Sequence, residues 1–134
     1  MAKAMDIMTT PVVSVKKDTP MYEAAQLLST NNITGVPVVD DDLTLVGMIT
    51  EKDILDIFDA LQYAEDRTVN SSMSREIVSF DVKDDLDDIC HCLKTSDFRR
   101  IPVTSQGKLT GIISRRDLIL YMLRQRRKNE ENAF

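Results

Sequence analysis

Two short motifs contain the side chains of this sequence that are best suited to bind or react with a ligand. Each motif places a hydroxyl residue three positions after a glycine, and an aspartate three positions after the hydroxyl residue. The two copies are Gly47, Thr50, Asp53 and Gly111, Ser114, Asp117. A hydroxyl residue followed three positions later by an acid is typical of a helix N-terminus, where both side chains bond backbone amides that lack helical partners. One interpretation of the motifs is therefore purely structural.

The same geometry also suits a nucleotide. A helix N-terminus carries free amides and the positive end of the helix dipole, so a phosphate can bind there beside the hydroxyl. A carboxylate one turn into the helix can accept both hydroxyls of a ribose, as acidic residues do in dinucleotide-binding folds. The two interpretations are compatible, because a hydroxyl that caps the helix can also face a ligand.

The motifs belong to an internal repeat of the chain. Pro37 and Val38, for example, return 65 residues later as Pro102 and Val103, and after a one-residue slip in a loop the spacing becomes 64. Features present in both copies belong to the design of the repeated unit. A duplicated unit tends to form two similar pockets, which favours a binding function over a single asymmetric active site.

The pattern around the motifs predicts the element order β-α-β-β-α, twice, with the motif opening the second helix of each repeat. The first repeat has strand Val12–Val15, a helix from Thr19-Pro20 with Thr19 as cap, strands Val36–Val39 and Leu45–Ile49, and helix Thr50–Tyr63. The second has strand Ile77–Phe80, a helix spanning Leu86 to Leu93, strands Ile101–Val103 and Leu109–Ile113, and a helix from Ser114 to about Arg127. We predict an α/β fold in which the two repeats pack sheet to sheet with pseudo-twofold symmetry.

Smaller signals refine this pattern. The first helix of each repeat carries one apolar stripe, namely Met21, Ala24, Ala25, Leu28 and Leu86, Ile89, Cys90, Leu93. Asn31-Asn32 is predicted to end the first of these helices. Because proline has no amide hydrogen, the strands with Pro37 and Pro102 should lie at a sheet edge or pair on one side only at that residue.

Composition narrows the functional classes. The net charge of −5 argues against nucleic acid as the main partner. No apolar run approaches the roughly 20 residues of a membrane span, so we expect no membrane partner and a cytoplasmic protein. Cys90 and Cys92 are only two positions apart in the sequence, too close for a disulfide bond that would stabilise the fold, so both should be free thiols. His91 between them has no second ligand cluster, so no metal site is predicted, and as the only histidine it leaves no catalytic residue to assign.

Six segments of the sequence resemble a known family. Residues 8–15, 33–40 and 45–55, with 73–80, 98–103 and 109–118 in the second copy, resemble cystathionine β-synthase (CBS) domains. The likeness covers about residues 6–122. From this likeness together with the element pattern, we predict a first repeat at 6–64, a polar connector at 65–72, a second repeat at 73–127 and a polar tail at 128–134. A tandem pair of this kind, a Bateman module, commonly binds adenine nucleotides or S-adenosyl compounds and regulates an effector.

The resemblance further implies that each site combines the motif of one repeat with strand residues of the other. One site would contain Thr50, Asp53, Ile77, Val78, Arg99, Arg100 and Ile101. The other would contain Ser114, Asp117, Val12, Val13, Ile33, Gly35 and Val36, with Arg116 as a further phosphate ligand. The repeats differ at Gly35 versus Arg100, so we expect unequal affinities or unequal ligands.

The sequence thus predicts a regulatory module that senses AMP, ADP or ATP, requires no cofactor, catalyses no reaction and controls a separate effector protein. A homodimer is expected through the second helices, whose apolar runs are Ile54, Leu55, Ile57, Phe58, Leu61 and Leu118, Ile119, Tyr121, Met122, Leu123. Two alternatives stay open: a dimerising scaffold whose motifs only cap helices, and a protein that binds S-adenosylmethionine or another adenosyl compound.

Overall fold

The structure, a computed structural model, describes the backbone of residues 2–60 and 67–132 and the side chains of the same residues except 58–60. Twelve short elements follow one another along these ranges. They are α1 (Ala4–Ile7), β1 (Val15–Lys16), α2 (Met21–Asn31), β2 (Gly35–Val39), β3 (Leu45–Thr50), α3 (Glu51–Ala60), a 3₁₀ turn (Val69–Ser71), β4 (Phe80–Asp81), α4 (Leu86–Thr95), β5 (Arg100–Ser105), β6 (Lys108–Ser114) and α5 (Arg115–Asn132). The predicted α/β class and the repeated β-α-β-β-α order are confirmed.

The chain forms two compact units. The first-repeat unit comprises the described residues of Val13–Ile77 with Gly107–Leu109. The second-repeat unit comprises those of Met1–Val12, Val78–Gln106 and Thr110–Phe134. Each unit contains one three-stranded sheet, in the order β1-β2-β3 or β4-β5-β6.

The sheet of the first-repeat unit explains how a proline fits its central strand. β2 pairs antiparallel with β3, where Pro37 lies opposite Met48. On its other side β2 pairs parallel with β1 only from Val38 onward, opposite Val15. Pro37 therefore needs a partner on one side only, as predicted, but the alternative of an edge strand is wrong.

The opening segment of each repeat packs in the unit formed mainly by the other repeat. Ala4 and Ile7 of α1 are buried in the core of the second-repeat unit with Ile89 and Leu93. The Lys3 ammonium bonds the Asp85 carboxylate, and this attraction lowers the pKa of Asp85 and raises the pKa of Lys3. The compact units are thus not the sequence repeats themselves, and the repeat limits at 6–64 and 73–127 stay a prediction.

The segment predicted as a polar connector has the equivalent role in the first-repeat unit. Val69 is fully buried and Met73 nearly so, both in the core formed by β2, β3 and α2. The amide of Val69 bonds the carbonyl of Thr19 at 2.9 Å. The described part of the connector is therefore a structural element, because its apolar side chain fills the core. Residues 65 and 66 of the predicted connector lie outside the described residues.

Several local predictions need correction. β1 and β4 are two residues long and begin later than predicted, because each pairs with its neighbour at only two positions. Thr19 does not cap α2; its hydroxyl accepts the Lys16 amide at 3.0 Å within the preceding turn. Cys90 is exposed, so the stripe of α4 is narrower than predicted. α5 continues through the predicted polar tail to Asn132.

Other local predictions are confirmed. Asn32 ends α2 in the left-handed conformation, with φ of 52°, and its amide bonds the carbonyls of Leu28 and Ser29. Met21, Ala24 and Leu28 form the buried face of α2. His91 is exposed, as expected for a residue opposite the apolar stripe. The end predicted for the first motif helix, Tyr63, lies outside the described residues.

The glycine of the first motif is required by a close approach within its unit. A Cβ at Gly47 would lie 2.9 Å from the Ser74 carbonyl oxygen and 2.6 Å from the Met73 sulfur. Backbone cannot retreat from such a contact as a flexible side chain can. We expect Gly47→Ala to lower the free energy of unfolding by about 1–3 kcal/mol, the usual cost of overpacking, as measured by urea denaturation.

Gly35→Ala is the matched control for this prediction. A Cβ there meets its nearest neighbour, the Ile49 carbonyl oxygen, at 3.3 Å, so a shift of a few tenths of an ångström relieves it. Its loss of stability should be clearly smaller. Equal urea midpoints for the two variants would contradict the close approach at Gly47.

Candidate ligand-binding site

The first motif forms a reciprocal cap at the junction of β3 and α3. Thr50 is the last residue of β3, and Asp53 lies in the first turn of α3. The Thr50 amide and hydroxyl both donate to Asp53 Oδ2, at 2.8 and 3.0 Å. The Asp53 amide in turn donates to Thr50 Oγ1 at 3.4 Å. The cap therefore fixes the carboxylate through one of its two oxygens.

The second motif repeats this arrangement at the junction of β6 and α5. The Ser114 amide and hydroxyl donate to Asp117 Oδ2 at 2.8 and 3.0 Å, and the Asp117 amide donates to Ser114 Oγ at 3.2 Å. Both aspartates are half-buried. The capping interpretation of the motifs is confirmed in both units, and each cap leaves the Oδ1 side of its carboxylate outside the reciprocal bonds.

Thr9 is a contact of the second motif that sequence reasoning missed. Its hydroxyl donates to Asp117 Oδ1 at 3.1 Å. Thr9 reaches this place because its backbone forms an isolated antiparallel bridge with Ile112 of β6. The available signal was the hydroxyl residue that follows the repeated methionine in each copy, Thr9 after Met8 and Ser74 after Met73.

In the first-repeat unit, the strand beside the motif carries several predicted site residues. Gly35 lies opposite Thr50 and Val36 opposite Ile49 in the β2–β3 ladder. A Cβ at Gly35 would lie 3.4 Å from the Thr50 methyl carbon, so glycine leaves room beside the hydroxyl. Val36 is fully buried, which makes its side chain part of the core and leaves only its backbone for a ligand.

The other predicted residues of this unit differ in exposure. Ile33 is half-buried and packs on the core. Val13 is 38% exposed, and Ile77 is half-buried. The structure thus places Gly35 and Val36 directly beside the motif of their own unit, and it places Val13 at the surface.

In the second-repeat unit, the start of β5 adjoins the start of α5. The carbonyl of Arg99 accepts the Arg115 amide at 3.4 Å. Ile101 is only 1% exposed, so its side chain, like that of Val36, belongs to the core. Val12 is half-buried and Val78 is exposed.

The arginines near the second motif have different roles. Arg115 donates from Nε to the Leu93 carbonyl at 3.1 Å and from Nη2 to the Ser96 carbonyl at 3.0 Å, so its guanidinium holds the C-terminal end of α4. Within the described residues, Arg99, Arg100 and Arg116 form no ion pair with a carboxylate. These three guanidiniums are available for a phosphate.

Each site predicted from the family resemblance joins residues of both units. That grouping stays a prediction. Within the ranges 2–60 and 67–132, no cluster of three metal-ligating side chains is found. A search of the helices in the same ranges finds none with the length and apolar character to cross a membrane.

Comparison with known proteins identifies the family to which the chain is similar. The family model described as CBS domain matches residues 4–60 and again 67–124. The uncharacterised protein YlbB of Bacillus subtilis is 34% identical over 121 residues, which cover 90% of this chain and 82% of YlbB. The CBS domain-containing protein YhcV of the same organism is 34% identical, with 88% of this chain and 84% of YhcV covered.

A solved structure provides a relative with a ligand. CBSX2, a CBS-pair protein from Arabidopsis thaliana, has been crystallised in complex with AMP. The present chain superposes on that complex with a TM-score of 0.81 and 29% sequence identity. The match covers 92% of this chain and 98% of the CBSX2 chain.

Proposed function

The chain belongs to the CBS-domain family as a tandem pair, and on that premise we propose that it is a regulatory module that binds an adenine nucleotide. The observation that carries the proposal is the pair of Thr50–Asp53 and Ser114–Asp117 caps. Each cap holds a half-buried carboxylate at a helix N-terminus by one oxygen and directs the other away from the cap. The AMP complex of CBSX2, a relative of similar fold, supports adenosine as the nucleoside.

The proposed binding mode assigns a task to each part of the site. The carboxylates of Asp53 and Asp117 accept ribose hydroxyls, while the helix N-termini and guanidiniums take phosphate oxygens. One site combines Thr50 and Asp53 with Ile77, Val78, Arg99, Arg100 and Ile101. The other combines Ser114, Arg116 and Asp117 with Val12, Val13, Ile33, Gly35 and Val36. At Val36 and Ile101 the backbone rather than the side chain meets the base, because both side chains are buried.

The ligand proposed is AMP, ADP or ATP, and the output is control of a separate effector protein without catalysis by this chain. The second candidate is an adenosyl compound without phosphate, such as S-adenosylmethionine. The capped carboxylates support this candidate as well, because both ligand classes present the same ribose hydroxyls to them. A dimerising scaffold, in which the caps have only their structural role, is the outcome if no adenosyl compound binds.

Calorimetric titration of AMP into the wild-type chain and its aspartate variants tests the ribose contact. Asp53→Ala and Asp117→Ala should each weaken binding at their own site by about 1.5–3 kcal/mol, the range for hydrogen bonds to a charged group. Asp87→Ala is the matched control, since Asp87 is an exposed carboxylate in the first turn of α4. If both motif variants bind AMP with wild-type affinity, the motifs act only as helix caps.

A second prediction concerns the phosphate. Adenosine should bind at least roughly tenfold more weakly than AMP, equivalent to about 1.4 kcal/mol, because the guanidiniums and helix N-termini contact phosphate and not base. Added salt should weaken AMP binding more than adenosine binding, since the charges are partly exposed. Arg116→Ala should reduce the difference in affinity between AMP and adenosine.

Arg124→Ala supplies the control for Arg116→Ala, because Arg124 is an exposed arginine two turns further along α5. It should leave the AMP-to-adenosine ratio unchanged. Equal affinities for AMP and adenosine at low salt would contradict the phosphate assignment. Tight binding of S-adenosylmethionine under those conditions would favour the second candidate ligand.

A homodimer through the motif helices is part of the proposal. Ile57 and Leu118 of the predicted apolar runs are buried, but Leu55 of α3 is 64% exposed, and Met122 and Leu123 of α5 are 64% and 54% exposed. Exposed large apolar side chains on a helix are typical of protein interfaces. The side chain of Phe58, and Leu61 as a whole, lie outside the described residues.

Sedimentation velocity at micromolar concentration should therefore report a dimer. Met122→Glu should shift it toward monomer, because a charge replaces an apolar contact, whereas Arg126→Ala at an exposed position further along α5 should not. A wild-type chain that sediments as a monomer with and without AMP would contradict the dimer.

A further inference from the structure

The two motif aspartates differ in how many hydrogen bonds they can still accept. A carboxylate has two oxygens with about four acceptor positions in total. In Asp117, Oδ2 already accepts the amide and the hydroxyl of Ser114. Its Oδ1 accepts the hydroxyl of Thr9 at 3.1 Å. One acceptor position of Asp117 therefore remains.

Asp53 retains two such positions. Its Oδ2 accepts the amide and hydroxyl of Thr50, as in the other unit. Within the described ranges 2–60 and 67–132, however, no residue donates a hydrogen bond to Asp53 Oδ1. The whole outer oxygen is thus available to a ligand.

The cause of this difference is a single pair of equivalent residues. Thr9 exchanges two backbone hydrogen bonds with Ile112, at 2.8 and 3.1 Å. Ser74 exchanges the same two bonds with Met48, at 3.0 and 2.9 Å, so the backbone frames match. Only the side chains diverge: the Ser74 hydroxyl turns to the Glu76 carbonyl at 3.4 Å, whereas the Thr9 hydroxyl bonds the aspartate.

We propose that Thr9 is a specificity-determining residue that makes the Asp117 site less selective for ribose than the Asp53 site. A ribose presents two neighbouring hydroxyl donors. Asp53 accepts both through Oδ1, while Asp117 accepts only one as long as Thr9 occupies its outer oxygen. The Asp53 site therefore distinguishes a ribonucleotide from a 2′-deoxyribonucleotide, and the Asp117 site does so weakly. This inference rests on the proposed nucleotide-binding function.

Titration with AMP and with 2′-deoxyadenosine monophosphate tests the inference on variants that isolate each site. Asp117→Ala leaves the Asp53 site, which should prefer AMP by roughly tenfold or more, as expected for one hydrogen bond to a charged group. Asp53→Ala leaves the Asp117 site, which should prefer AMP by less than about threefold. Adding Thr9→Val to Asp53→Ala should raise the preference to roughly tenfold, because it returns an acceptor position to Asp117.

Ser74→Ala, added to Asp117→Ala, is the matched control and should leave the preference of the Asp53 site unchanged. Thr9 is exposed, so Thr9→Val should keep the fold, which the melting temperature verifies. The role of Thr9 is overturned if adding Thr9→Val to Asp53→Ala leaves the preference for AMP over the deoxynucleotide unchanged. It is also overturned if the Asp53→Ala chain binds neither nucleotide, with or without Thr9→Val. Neither result contradicts the proposed function itself. A wild-type chain that binds no AMP overturns the proposed function and this inference with it.

Discussion

The structure of each unit depends on one reciprocal interaction, the exchange of hydrogen bonds between a hydroxyl residue at a strand end and an aspartate one helical turn later. Without it, the amides of Asp53 and Asp117 in the first turns of α3 and α5 would lose their partners, because amides in the first turn of a helix have none within the helix. With it, the strand passes directly into the helix and the carboxylate is fixed in position. In the proposed function, the same bonds that stabilise the junction also position an acceptor for a ribose, so that one carboxylate contributes to both stability and binding.

The opening segment of each repeat adds a second constraint. This segment lies close to the strand that precedes the motif of the other repeat. Met73 therefore packs where a side chain at Gly47 would lie, and Met8 packs where a side chain at Gly111 would lie. The same backbone bridges bring Ser74 and Thr9 beside the motifs. The two backbone frames match, and the different orientations of the Thr9 and Ser74 hydroxyls make two similar motifs unequal as acceptors.

Much of this architecture is predictable from the sequence because it depends on local patterns. The apolar spacing of Met21, Ala24 and Leu28 gives the buried face of α2, and Asn32 ends that helix by its tolerance of the left-handed conformation. The bond from Thr9 to Asp117 spans 108 residues, and no local pattern encodes it. Likewise, no local pattern shows that the Arg115 guanidinium bonds the carbonyls of Leu93 and Ser96 at the C-terminal end of α4, which only the folded chain brings near.

A crystal structure of the chain grown with AMP tests the central claim most directly, namely that the capped aspartates are ribose acceptors. The account predicts density for a nucleotide whose two ribose hydroxyls lie within about 3 Å, the usual hydrogen-bond distance, of Asp53 Oδ1, with the Thr50–Asp53 cap intact. It would be contradicted by AMP bound elsewhere with no ribose contact to Asp53 or Asp117, or by crystals that contain no nucleotide at saturating AMP.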